Sequence, residues 1–420
     1  MSHSHLPQAD VDERQDPVDP AVAAQRRRAS VLLSLVLVPV ALVTLIGLVL
    51  LWPSCDDPAV AAAAGSFTAP GTTFPEATVL SVEPFDCSGL ATPAPGAPPL
   101  ELTCARVTTR IDDGEDAGTS AIIELPPEIY AVGIEVGEKL KLQRTPGDGT
   151  TSASYSFNDF ARQLPLTLLT IAFVVAVVAV ARIRGAAAIL GLGFAFVILV
   201  RFMLPGLLEG RSPILVALVG SSAIMFVVLY LAHGFTARTT TALTGTLFGL
   251  ALTAGLGAWV ASSARLTGLS SEESLLLTTA AGGISLSGLV LCGIIVAGLG
   301  VLNDVTITQA SAVWQLHELS PALSARELFG SAMRIGRDHI ASSVYTIVFA
   351  YAGAALPVLL LFALYARPLG DIITSEIVAE EIVRTLVGAI GLVLAVPVTT
   401  GVGVTIVKAA GSAKTQSMSR

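Results

Sequence analysis

Three groups of polar side chains stand where a long apolar chain has least reason to carry them, at the ends of hydrophobic runs. The first is Asn303-Asp304-Val305-Thr306-Ile307-Thr308-Gln309, which gathers one carboxylate, two hydroxyls and two amides. Such groups suit cation binding or a proton relay; the plainer reading is a helix end hydrated at the membrane surface. The second is Arg337-Asp338-His339, followed by Ser342, Ser343 and Thr346. A carboxylate beside a histidine exchanges protons near neutral pH. Alternatively, Asp338 caps a helix and Arg337 meets lipid phosphate. The third is Thr374-Ser375-Glu376 with Glu380, Glu381 and Arg384. Glu380 and Arg384 are four apart, so they can pair on one helical face. That group reads as a structural ion pair or, more sharply, as an outer gate.

Charges inside apolar helices cost about 2.5–3.5 kcal/mol each on insertion scales, so each group needs a reason to be there. Other reactive patterns are missing. There is no Gly-x-x-x-x-Gly-Lys loop, no His-Glu-x-x-His, no CxxC pair and no Gly-x-Ser-x-Gly elbow. The chain is therefore read as a non-enzyme without a cofactor or a metal site. His3 and His5 sit in a polar tail and read as inert, and His233 as interfacial. Nucleic-acid binding is not expected, because no basic patch with interleaved aromatics occurs.

The elements that must position these groups follow from composition. The chain is 53% hydrophobic and 13% charged, where soluble domains carry about a quarter charged residues. Residues 31–52 hold no charge and are long enough to span a bilayer, which takes ~20 residues, so they read as a retained anchor in which Pro39 can introduce a kink. Residues 1–30 before it read as a disordered cytoplasmic tail ending in Arg26-Arg27-Arg28. Further spans are expected near 164–181, 186–204, 213–232, 241–262, 284–302, 341–364 and 382–407. Residues 275–302 exceed one span and are interrupted by Gly282-Gly283, which predicts a broken or re-entrant helix. Gly245 and Gly249 carry a close-packing spacing.

Residues 53–163 are the large polar segment. Short alternating runs occur at Thr78–Val82, Leu100–Ile111, Ala121–Leu125 and Lys139–Leu142, separated by Gly, Pro and Asp. Period-two alternation between such breaks predicts strands, and four or five of them predict a small OB-like barrel. Tyr155, Phe157 and Phe160 read as an aromatic belt near the membrane. Cys87 and Cys104 both fall in this segment and are a disulfide candidate if it lies outside the cytosol. Cys292 reads as a small core residue. Trp-Pro-Ser before Cys55 is a poor lipidation signal.

The architecture expected is an α-helical integral membrane protein of about eight transmembrane helices. A β domain (53–163) is inserted between helices 1 and 2, a seven-helix domain covers 164–407, and a short tail covers 408–420. Lys and Arg concentrate on one set of breaks: Arg182, Arg184, Arg238, Arg326, Arg334, Arg337, Lys408, Lys414 and Arg420. Arg211, Arg265 and Arg367 fall on the other, with Arg201 at a span end. The bias predicts both termini in the cytoplasm and the β domain outside it. The segment 303–340 is then an inner loop. Within it Ser320-Pro321 offers a helix start, Ser324 and Glu327 have capping-box spacing, and Ala325–Arg337 reads as an amphipathic helix along the membrane face.

Three strings carry a family resemblance: Gly300–Trp314 (Gly-Val-Leu-Asn-Asp-Val-Thr-Ile-Thr-Gln-Ala-Ser-Ala-Val-Trp), Ile335–Ser342 (Ile-Gly-Arg-Asp-His-Ile-Ala-Ser) and Ala379–Thr385 (Ala-Glu-Glu-Ile-Val-Arg-Thr). They resemble YibE/F-type bacterial membrane proteins, a likeness that extends from about Thr78 onward. Asn303 stands where the pattern leads one to expect an aspartate, which weakens any scheme needing two adjacent acids. The resemblance implies a bacterial, actinobacterial plasma-membrane protein and gives no substrate. The residues themselves suggest transport of a small solute or ion, with proton coupling. Asn303, Asp304, Thr306, Thr308, Gln309, Asp338 and His339 would then be the inner site, and Glu376, Glu380, Glu381 and Arg384 the outer gate. The competing expectation is a non-transporting scaffold or sensor whose β domain binds an envelope protein partner. In both, the surrounding partner is the lipid bilayer.

Overall fold

The computed structural model describes residues 20–54, 69–88, 102–147, 152–280, 283–364 and 368–411. His3, His5, Cys55, Arg367, Lys414 and Arg420 lie outside the described residues. The chain divides into two compact units, one from residues 58–180 and the other from residues 1–57 and 181–420.

The first unit is built on five strands: β1 (Glu76–Asp86), β2 (Thr103–Ile111), β3 (Ser120–Leu125), β4 (Lys139–Thr145) and β5 (Ser154–Phe160). A short helix α2 (Pro127–Tyr130) lies between β3 and β4. All neighbouring strands run antiparallel in the order β3-β2-β1-β4-β5. The free edges of β3 and β5 approach each other, so the sheet is a nearly closed barrel. Alternation buries one face: β3 alternates exposed and buried along its whole length. Ala77, Val79, Ala105, Val107, Ile123, Leu125, Leu140 and Leu142 fill the interior. Cys87 and Cys104 form a disulfide that joins the end of β1 to β2.

Tyr155, Phe157 and Phe160 correct the expectation of an aromatic belt. They belong to β5, paired with β4, and pack on the barrel core. Their spacing in Ser-Tyr-Ser-Phe-Asn-Asp-Phe is a strand alternation, and nearness to a hydrophobic run masked it.

The second unit is helical. Its elements are α1 (Pro20–Leu50), the part of α3 (Gln163–Ile198) from Ala181 on, a π turn (Leu199–Met203) running into α4 (Leu204–Leu208), α5 (Pro213–His233), α6 (Ala237–Ser263), α7 (Glu272–Ala280), α8 (Leu286–Leu319), α9 (Ala325–Ala354), α10 (Leu356–Leu364), α11 (Leu369–Ile373) and α12 (Glu376–Gly411). Among the described residues, six helical segments are long and apolar enough to cross a membrane, or seven if α9 and α10, bent by 63°, form one broken span. One of the six is the 46-residue stretch Gln163–Leu208, which holds two of the expected spans either side of Arg182. Arg182 has non-helical backbone angles, φ 52° and ψ −130°.

Helices α6, α8 and α12 pack on one another most extensively. Gly245 and Gly249 sit where α6 meets the other two: a Cβ on Gly249 would meet Leu302 Cδ2 at 2.5 Å and Ala395 Cβ at 3.2 Å. The expected close-packing role of that glycine pair is present.

Several boundaries differ from expectation. α1 begins at Pro20, so Arg26, Arg27 and Arg28 lie on the helix rather than in a disordered tail. Within the 275–302 stretch α7 ends at Ala280 and α8 starts at Leu286, with Ser285 capping the second through Gly288 N–H; Gly282 lies outside the described residues. Residues 303–340 are not a loop. α8 continues to Leu319, a short turn follows, and α9 runs unbroken from Ala325 into the next apolar stretch. Ser320 ends α8, so Ser320-Pro321 starts no helix; Ser324 and Glu327 instead form the capping box of α9. The amphipathic stretch packs Leu328 and Ala332 against Val313, Val404 and Val407. Hydropathy marks where an apolar run ends, whereas a helix ends where its backbone hydrogen bonds stop.

Candidate functional site

The helical unit has two ends. At one, Arg211 Nη1 donates to Leu50 O (3.0 Å), Ser54 donates to Glu209 (3.0 Å), and Glu376 meets the 267–268 turn. At the other, Lys408 Nζ donates to Pro321 O (3.1 Å), and Leu33 packs with Ile406 and Ala237.

Between them the predicted inner cluster splits by face. Thr306 and Gln309 are fully buried where α8 meets α6, α9 and α12. Thr306 Oγ1 lies 2.6 Å from Thr246 Oγ1 of α6. Gln309 Nε2 donates to Thr400 Oγ1 of α12 (2.7 Å) and to Ala332 O of α9 (3.0 Å). Gly336 is the residue that lets α9 approach: a Cβ there would meet Gln309 Oε1 at 2.9 Å. Gln309 Oε1 and Asn303 Oδ1 are buried without hydrogen-bond partners. This is an interhelical polar layer of the kind that binds apolar helices together.

Asp304 points the other way. It is exposed, and its carbonyl accepts the Thr308 hydroxyl. Asp338 is also exposed, and His339 is half-buried with an unpartnered Nδ1. No hydrogen bond or ion pair joins Asp304, Asp338 and His339 among the described residues.

The expected outer group separates into three roles. Glu376 Oε1 accepts from Thr267 N (2.5 Å), Thr267 Oγ1 (2.7 Å) and Gly268 N (2.9 Å), and so pins the turn after α6. Gly268 has φ +78°, and a Cβ there would lie 2.7 Å from Leu286 backbone atoms, so glycine is required. Arg384 pairs with Glu381, three residues before it, which corrects the expected pairing with Glu380. Spacing permits either partner; packing buries Glu380 and leaves Glu381 beside the guanidinium. Glu380 is 8% exposed, its Oε1 has no partner, and Ser270 is a hydrogen-bonding neighbour of its carboxylate.

Glu380, Glu381 and Arg384 line a cavity of about 820 Å³ among α8, α9, α10, α12 and the 199–207 turn. Its walls are mostly apolar, with Ser270, Ser271 and Ser274 among its polar groups. On α8 the wall includes Leu289, Gly293 and Val296. At 100° per residue this face continues through Gly300 to Asp304, Thr308 and Ser311. Gly300 and Asp304 are exposed along it. Leu289 and Asp304 are about 22 Å apart along the axis at 1.5 Å per residue, most of a ~30 Å hydrocarbon layer.

Sequence reading missed Thr246, Thr399 and Thr400, which are fully buried. The available signal was a set of hydroxyls inside apolar runs, above all the paired Thr399-Thr400. It missed Gly293 and Tyr351 as cavity residues because nothing local marks a wall.

No curated protein and no solved structure matches the chain. A family profile described as YibE/F-like protein matches residues 169–409. All three strings that carried the resemblance lie inside that range, and the β unit up to β5 lies before it. The matched range covers more than half of the chain, with the polar layer, the cavity and the α8 face inside it, and the chain belongs to the YibE/F-like family.

Proposed function

We propose that this chain is a non-enzymatic membrane transport protein that moves a small solute or ion along the exposed face of α8. The observation that carries the reading is the buried Glu380 carboxylate, whose Oε1 has no partner, in a cavity whose α8 wall continues to Asp304. Intramembrane ionisable groups are costly and tend to mark solute or proton pathways. Glu380 and Asp304 are the binding groups at the two ends of the route. The Gln309–Thr400 and Thr246–Thr306 contacts hold α8 in place. Proton coupling resides in the carboxylates of the route rather than in an Asp304–Asp338–His339 triad.

Eight spans result if Arg182 divides the long segment and α9 with α10 makes one broken span. An even number puts both termini on one side, and the barrel between spans 1 and 2 on the other. Arg184, Arg238, Arg326 and Lys408 gather at the end opposite Arg211 and Arg265, which supports a cytoplasmic placement of that end in a bacterial plasma membrane. The strand order with a short helix between β3 and β4 supports an OB-like reading of the barrel.

The test is flux. Purified protein in sealed vesicles on a solid-supported membrane is screened with cation and amine gradients for capacitive currents. Glu380→Gln and Asp304→Asn are each expected to lower the current about tenfold, in line with loss of ~1.4 kcal/mol or more of a charge-assisted contact. Currents unchanged in both variants, with both folded, would remove the reading.

A further inference from the structure

We infer that the Glu380 cavity binds amphipathic organic cations, molecules with a protonated amine on an apolar body. The inference rests on the transport reading only in naming the solute; the binding site stands on its own geometry. Glu380 is more than nine-tenths buried, and its Oε1 lacks any donor among the described residues. A buried carboxylate oxygen left without a donor is costly, so the missing N–H belongs to an occupant. The protein's nearby cation does not fill that role, because Arg384 is engaged by Glu381. Glu376 is likewise satisfied, by Thr267 and Gly268. Among the described residues that line the cavity, the carboxylates of Glu380 and Glu381 stand against the guanidinium of Arg384, an excess of negative charge that an anionic ligand would add to.

The rest of the cavity fixes the other part of the ligand. Val296, Val348, Leu359 and Leu386 supply apolar wall, and about 820 Å³ is far more than an inorganic cation fills. The Ser270, Ser271 and Ser274 hydroxyls lie among the same lining residues and offer acceptors for the remaining N–H groups of an ammonium. A carboxylate with hydroxyls in an apolar cavity fits one charged head on a hydrocarbon or aromatic body.

The experiment uses the full chain in nanodiscs of zwitterionic lipid at pH 7 and three dansyl probes of matched length. One ends in a primary amine, one in a methyl group and one in a carboxylate. Dansyl emission reports transfer into the cavity. The amine probe is expected to bind saturably, about tenfold or more tighter than the methyl probe, with the carboxylate probe weakest. Glu380→Gln is expected to bring the amine probe to the level of the methyl probe. Gly293→Leu fills the wall, where a Cβ meets nothing nearer than Arg384 Nη2 at 3.9 Å, and is expected to weaken amine and methyl probes alike. Equal binding of the three probes, tightest binding of the carboxylate probe, or amine binding unchanged in a folded Glu380→Gln would each overturn the inference. The probe series on the unaltered chain decides the matter even if a variant fails to fold. Amine binding without current in the vesicle assay would leave the site in place and remove transport. Current carried by inorganic cations without amine binding would do the reverse.

Discussion

Gln309 shows how one side chain can tie three helices. Its amide donates to Thr400 on α12 and to the Ala332 carbonyl on α9 while its own backbone belongs to α8. Gln309→Leu keeps the volume and removes a donor that satisfies a buried carbonyl, at an expected cost of about 1–2 kcal/mol. Gln309→Glu is expected to cost more, because an acceptor-only carboxylate would face the Ala332 carbonyl in a fully buried site. Thermal unfolding of the two variants in detergent, compared with the parent, checks the order. Asp116 does similar work in the barrel. It accepts from the Tyr155 hydroxyl and from Arg144 Nε (2.5 Å), with Glu115 on Arg144 Nη2 at 2.8 Å. The Tyr155 and Arg144 hydrogen bonds hold the Asp116 carboxyl below the usual carboxylate range, and burial pushes the Tyr155 phenol up. A depressed carboxyl pKa contributes stability that is present above the unfolded value of about 3.9 and lost as pH falls through the folded one. Asp116→Asn is expected to flatten the loss of barrel stability below pH ~4, read by tryptophan-independent CD across an acid titration.

At the scale of elements, the α6 surface decides how tightly the bundle closes. Gly245 and Gly249 bring its backbone against α8 and α12, and Thr246 reaches Thr306 from the same face. Gly249→Leu is expected to destabilise the bundle by about 1–3 kcal/mol, the usual cost of overpacking. Gly255→Leu, on the same helix with nothing within 4 Å of a new Cβ, is the control and should unfold like the parent. Thermal scans in the same detergent compare them. α8 itself was half legible. Its apolar part was plain from hydropathy, but its continuation to Leu319 depended on partners for Thr306 and Gln309 that come from α6, α9 and α12.

For the whole molecule, the division into a barrel unit and a helical unit predicts two responses to one lesion. Cys87 and Cys104 are 17 residues apart, so their cross-link removes about 3 kcal/mol of unfolded-state freedom in the chain-entropy account. Cys87→Ser with Cys104→Ser is expected to make the barrel unit sensitive to protease while the helical unit resists as before, which limited proteolysis of the full chain followed by mass spectrometry reads directly.

Local pattern determined a great deal. Apolar runs of span length predicted where the long apolar helices lie, and period-two alternation predicted β1 to β4, because burial on one face repeats with the geometry of each element. It also brought Cys87 and Cys104 forward as a pair by their shared segment. Tertiary structure alone decided the rest. It gave Arg384 to Glu381 rather than to Glu380, set Thr306 and Gln309 inward and Asp304 outward, and moved Tyr155, Phe157 and Phe160 from a membrane belt to a strand. Each of these outcomes is a choice among partners distant in the chain. Spacing along one helix leaves that choice open, and only the packing of several helices or strands closes it.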